Sequence, residues 1–231
     1  MAHEHEYEID GPLIEEVFRL TATDERTPLP RHRHNLTRSQ VETTQRARII
    51  VATAEVVNEL GYAAASSKAI IERAGVSSKT FYALFGDKES AFFAAFSLLD
   101  GVIVDVVRGA PHPEDPRRQA REGIEGFLEQ LAAVPLFTRL RIVEAPAAGH
   151  RALERQRAIT REFARAIHRL MGPAQERDPR IRMLSEEILV MFCGGVAELM
   201  LEHILEHGTA SLPDLSPTVY EMLELLAFAP E

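Results

Sequence analysis

The chain has no tryptophan, one cysteine and three lysines among its 231 residues. Each shortage excludes something. A lone thiol, Cys193, cannot build an intrachain disulfide framework and fits a reducing compartment. No stretch reaches the ~20 apolar residues that span a bilayer, the longest run being about Ile188 to Ala197. The first residues hold neither a basic n-region nor an apolar h-region, so no signal peptide is expected and a cytoplasmic location is. Phosphate loop, dinucleotide fingerprint and nucleophile elbow are all missing, so the expectation is a protein without enzymatic activity and without a cofactor. Alternating β-branched stretches are scarce, while Ala, Leu, Glu and Arg abound. That composition favours an all-α fold.

Net positive charge is also lacking overall, at −9 for the whole chain. Its distribution is uneven. Residues 1–30 carry −6, residues 31–90 carry +3 and residues 91–231 carry −6. All three lysines, Lys68, Lys79 and Lys88, fall in the middle segment. A modestly basic patch on an acidic body suits a protein that meets phosphate with one face only.

That middle segment contains the most informative stretch, Gly61 to Lys88, GYAAASSKAIIERAGVSSKTFYALFGDK. Ser66 and Ser67 can cap a short helix with Ile70, Ile71 and Ala74 as its apolar positions. Gly75 supplies positive φ where that helix stops. Ser77 is a second N-cap, and Phe81 and Phe85, four apart, share the inward face of the next helix. Gly86 ends it, and Asp87 caps a further helix from Lys88. Two short helices joined by a tight glycine turn form a helix-turn-helix, whose second helix enters the major groove. Ser77, Ser78, Lys79 and Thr80 stand at the leading end of that helix and can all donate hydrogen bonds to phosphate or base. A capped helical hairpin without DNA affinity would show the same local pattern.

The run from Ala74 to Lys88, A-G-V-S-x-x-T-F-Y-x-x-F-x-D-K, resembles the N-terminal domain of tetracycline-repressor-like (TetR-family) transcription regulators. So does the lead-in through Arg46, Ile49, Ala52, Gly61 and Tyr62. The resemblance covers roughly Arg38 to Phe96. It implies that Ser77 caps the recognition helix, that Ser78 and Lys79 face bases, and that Thr80, Tyr82 and Lys88 hold phosphates. Arg46, Ser67 and Lys68 complete the candidate DNA-facing set. The chain departs from its relatives at Leu84, where they often carry His or Tyr, and Ala83 beside it is bare.

Three segments follow from this reading: an extension or arm at 1–36, a helix-turn-helix domain at 37–87 and a ligand-binding and dimerisation domain at 88–231. In the extension, Ile9, Leu13, Val17 and Leu20 have helical spacing, and Arg31-His32-Arg33-His34 is a short cationic arm. Arg31 and Arg33 are its candidate minor-groove contacts, against the alternative of a solvated linker. The first long helix starts near Thr37, where Thr37 and Gln40 have capping-box spacing, and runs to Leu60. A connecting helix is predicted over 88–108. Beyond Pro111, Pro113 and Pro116, helices are predicted over 117–134, 136–145, 150–171, 181–207 and 216–227, with Gly172-Pro173 among the breaks.

The last two helices are apolar on more than one stripe, which calls for burial on two sides, one of them a second subunit. Candidate ligand-cavity residues are Phe96, Leu99, Phe127, Phe137, Arg141, Glu144, Met191 and Glu198. Few polar residues on otherwise apolar helices can orient a ligand's polar end. His203-Ile-Leu-Glu-His207 matches the H-x-x-E-H zinc-peptidase pattern. It lies at a helix C-terminus, where histidines are favoured by the dipole, and no third ligand accompanies it, so no metal site is expected. The resemblance implies a homodimeric DNA-binding repressor released by a small molecule, acting on a near-palindromic operator. The alternative is a helical ligand-binding or interaction protein of the same fold without operator binding.

Overall fold

The computed structural model describes residues 9–22, 37–109 and 115–228, so the predicted arm at Arg31 and Arg33 lies outside the described residues. Its secondary structure is helical, with one isolated antiparallel bridge, Ile181 to Phe228, among the described residues. The chain divides into two compact units, residues 1–98 and 99–231.

The first unit is built around α2, Arg38–Leu60. Its start is the reciprocal cap read from sequence. Gln40 N donates to Thr37 Oγ1 at 3.2 Å, and Thr37 N donates to Gln40 Oε1 at 2.8 Å. The middle of α2 buries Ala47, Ile49, Ile50, Val51, Ala52, Val56 and Val57, too many for one stripe. The reason is that α2 is covered from two sides. One cover is α1, Gly11–Ala22, capped by Asp10 and buried through Leu13 and Val17. Arg19 and the Thr44 hydroxyl both donate to the Glu16 carboxylate, joining α1 to α2. The other cover is the hairpin of α3, Ser67–Ala74, and α4, Ser78–Leu84. Then α5 runs over Lys88–Gly109, with Ser90 N donating to Asp87 Oδ1 at 2.7 Å. Phe92, Phe93 and Phe96 are buried in one aromatic cluster, with Tyr62 set edge-on to Phe92 at 4.8 Å. These rings carry the first unit past Lys88, so the division falls inside α5.

In the second unit, α6 spans Pro116–Ala133, capped by Asp115, and α7 spans Pro135–Arg139. The helix predicted over 136–145 is broken into three kinds of turn. After α7 the chain widens into a π-helical turn, Leu140–Glu144, then tightens into a 3-10 turn, Ala145–Ala148, ended by Gly149 at φ 91°. Conversely, α8 covers His150–Arg177 and passes through Gly172-Pro173, where a break is predicted. Tertiary packing outweighs the proline there. Continuation past the proline sets Gln175 so that its Nε2 donates to Ile181 O at 2.9 Å. The helix predicted from Ile181 begins later, as α9, Glu186–His207, because Ser185 supplies the cap and Ile181 is drawn into the bridge with Phe228. A 3-10 turn, Thr209–Leu215, leads into α10, Ser216–Ala227.

Candidate nucleic-acid interface and ligand cavity

The helix-turn-helix is held by local chemistry legible in its sequence. Ser66 accepts from Ala69 N to start α3, and Gly75 at φ 64° closes it in the left-handed region. Ser77 Oγ accepts from Thr80 N at 3.0 Å and lies 2.8 Å from Thr80 Oγ1. Phe81 and Phe85 are buried, which turns the opposite face of α4 outward. Ser77, Ser78, Lys79 and Ala83 are exposed, and Tyr82 is 54% exposed. Ser78, Lys79, Tyr82 and Ala83 are three and four apart and therefore share one face. Thr80 is half-buried.

The other candidates have distinct surroundings. Lys68 is exposed and 3.9 Å from Glu72. Ser67 is half-buried in the first turn of α3. Arg46 lays its guanidinium 5.3 Å from the centre of the Phe85 ring. Lys88 is engaged inward. Its ammonium donates to Tyr62 O at 2.8 Å and Ala65 O at 2.9 Å, with the Tyr62 ring centre 4.3 Å away. Such a lysine ties the start of α5 to the loop before α3.

The second unit encloses a cavity of ≈ 230 Å³. Leu99, Phe127 and Arg141 of the sequence candidates line it. Phe96, Phe137, Glu144, Met191 and Glu198 are not among its described lining residues. Phe96 belongs to the aromatic cluster of the first unit and Phe137 is buried in core, while Met191 and Glu198 are exposed on α9. Glu144 closes the π-helical turn. Sequence reasoning missed Ile159, Phe163, Ile167 and Met171 of α8, Phe192 and Met200 of α9, and the amide of Gln156. The signal for α8 was present as a stripe at steps of four, but such a stripe reads the same whether it faces core or cavity.

Phe127 stacks on Phe163 with centroids 5.4 Å apart, forming an aromatic wall. Cys193 also faces the cavity, and burial pushes its thiol up to about 12. Arg141 is buried and donates to Asp100 Oδ1 at 2.7 Å, while Arg155 donates to Asp100 Oδ2 at 3.0 Å. Burial presses the Arg141 pKa down and Asp100 opposes that shift. Elsewhere, His203 Nε2 lies 3.0 Å from Ser211 O and 2.9 Å from Ser211 Oγ, tying α9 to the 3-10 turn.

Comparison with known proteins adds three findings. A family model described as bacterial regulatory proteins, tetR family, matches residues 49–95. No curated protein sequence matches. Similar solved structures include the fatty acid degradation regulator FadR from Bacillus halodurans, with TM-score 0.68 and 21% identity over 78% of this chain and 94% of that one. The regulator FadR from Bacillus subtilis in complex with stearoyl-CoA gives TM-score 0.64 and 18% identity over 76% and 96%. SmeT in complex with triclosan gives TM-score 0.64 and 16% identity over 80% and 92%. The stretch that matches the tetR family model, residues 49–95, holds the capped α3–α4 hairpin and the start of α5, and the all-helical fold is that of the similar solved structures.

Proposed function

We propose that the protein is a homodimeric, sequence-specific DNA-binding transcription repressor, released from a near-palindromic operator by a small molecule. The observation that carries the reading is the exposed face of α4, Ser78, Lys79 and Tyr82, held outward by buried Phe81 and Phe85. Ser78 and Lys79 are assigned to base edges, and Ser67, Lys68, Thr80 and Tyr82 to phosphates. Arg46 rests its guanidinium over Phe85, the residue that ends α4, and is assigned a phosphate contact. Arg31 and Arg33 are assigned to the minor groove. Lys88 acts indirectly, by fixing the loop that carries α3.

The dimer is assigned to α9 and α10. Among the described residues, α9 is the helix long and apolar enough to cross a membrane by length and composition. One of its faces lines the cavity with Phe192, Cys193, Val196 and Met200. Its other face exposes Ile188, Met191 and Leu205, with Gly194 and Gly195 open between them. A second apolar face on a soluble helix is accounted for by a second copy, and paired glycines let the backbones approach. Relatives of this fold hold stearoyl-CoA and triclosan, both rich in apolar surface, which supports a hydrophobic effector here. Release is then linkage: an effector that prefers the DNA-incompetent dimer lowers operator affinity by the same coupling, commonly ~1–3 kcal/mol. Cytoplasmic residence follows from this role.

The test is a gel shift with purified full-length protein and the DNA flanking its own gene. Saturable binding that survives nonspecific competitor is expected. Failure to bind there or to a randomised DNA library would reduce the protein to a ligand-binding member of the fold.

A further inference from the structure

The cavity of the second unit is walled by hydrocarbon, with Arg141 as the single charged residue among its described lining. That residue is 4% exposed. A cation so deeply buried is costly unless something compensates it. Asp100 does so here, shared between Arg141 and Arg155. Yet Asp100 is not part of the described lining and keeps 28% of its side chain exposed. Arg141 thus lines the cavity, while the partner that compensates its charge stands outside the described lining and is partly exposed. Two further observations concern the polar lining of the same cavity. Arg141 stands in the π-helical turn, a local widening that recurs at functional sites. Gln156 follows Arg155 in α8, lines the cavity and has a buried Oε1 with no hydrogen-bond partner.

We propose that the cavity binds an amphiphilic carboxylate whose hydrocarbon lies against Ile124, Phe127 and Phe163 and whose head group takes Arg141 in competition with Asp100. A planar carboxylate matches the guanidinium fork with two parallel hydrogen bonds. A neutral head forfeits the charge-assisted bonds, and a cationic head meets Arg141 as a like charge. Asp100 lies on α5, the helix that begins at Lys88 directly after the helix-turn-helix. Exchanging Asp100 for the ligand carboxylate therefore removes one anchor of that helix, and this is the chemical event of release. The inference rests on the ligand-released repressor proposed above.

The experiment is calorimetric titration of full-length protein with octanoate and with octanol at neutral pH. Wild type is expected to bind octanoate roughly tenfold or more tightly than octanol, the difference that charge-assisted bonds supply. Asp100→Asn removes the competitor and is expected to tighten octanoate binding while leaving octanol unchanged. Arg141→Met is expected to abolish the preference for the acid while keeping octanol binding. If that variant does not fold, the acid-to-alcohol ratio of wild type and the Asp100→Asn result still decide. Equal binding of acid and alcohol, no binding of either, or weaker octanoate binding by Asp100→Asn overturns the inference. A gel shift without ligand reads the regulator proposal separately. DNA binding without an acid preference overturns only the carboxylate assignment. An acid preference without DNA binding overturns only the repressor.

Discussion

Single residues of the helix-turn-helix divide into those that face outward and those that hold the motif. Lys79 faces outward, so Lys79→Ala is expected to cost roughly 1–3 kcal/mol of specific binding and to relax preference at one or two base pairs. Measured affinities for a set of single-base operator variants check this, and an unchanged preference removes Lys79 from base readout. Lys88 belongs to the second class. Replacing it with alanine leaves two part-buried carbonyls without their charged donor and should lower stability by about 1–3 kcal/mol in urea unfolding. The salt dependence of DNA binding should keep its slope, whereas a slope reduced by about one unit would make Lys88 a direct phosphate contact. Gly75 shows how backbone and side chain combine. A Cβ there would lie 2.9 Å from Arg48 Nη2, the movable end of a long side chain, so the lasting cost of Gly75→Ala is the left-handed φ of 64°. That conformation costs roughly 1–2 kcal/mol for an L-residue.

Among the elements, α1 was legible as an amphipathic segment, but its partner was not. Leu13 and Val17 are buried on α2, and each such burial contributes roughly 1.5–3 kcal/mol. Truncation of residues 1–22 should therefore destabilise the first unit, seen as a lower urea midpoint, and is a poor test of the cationic arm. The arm is better tested by Arg31→Ala with Arg33→Ala, which should weaken DNA binding without moving that midpoint. The Glu16 carboxyl is held below its ordinary range, first by Arg19 and also by Thr44, against a desolvation that raises it. A depressed folded-state pKa gives stability that is present above the unfolded value and lost as pH falls through the folded one. Acidification below the ordinary carboxylate range should thus loosen α1, and Glu16→Gln should flatten that part of the stability profile. Hydrogen exchange of α1 amides against pH distinguishes the two.

For the whole molecule, the decisive quantity is its oligomeric state. Met191 is 75% exposed and Leu225 is 70% exposed. Met191→Glu or Leu225→Glu is expected to give monomers and abolish operator binding with α4 untouched, as read by sedimentation and gel shift. Leu223 is unsuited to this test because it lines the cavity, so a charge there would report on ligand binding instead. Wild type sedimenting as a monomer at micromolar concentration would remove the dimer from the proposal.

Short-range chemistry was determined by the sequence alone. The caps at Thr37, Ser66 and Ser77, the glycine stop at Gly75 and the inward pair Phe81 and Phe85 depend on neighbours a few residues away, so their spacing is their structure. The all-α class and the family resemblance rest on that same local information. Only tertiary structure decided which apolar stripe faces a cavity and which faces outward, because both satisfy one helical period. It carried α8 through Pro173, since the place of Ala174 in the cavity wall and the Gln175 contact outweigh one missing hydrogen bond. It also turned Lys88 inward, joined Asp100 to Arg141 and Arg155, and opened the π-helical turn around Arg141. Those contacts link residues tens of positions apart, where the energy of burying a charge, not the order of the chain, selects the partner.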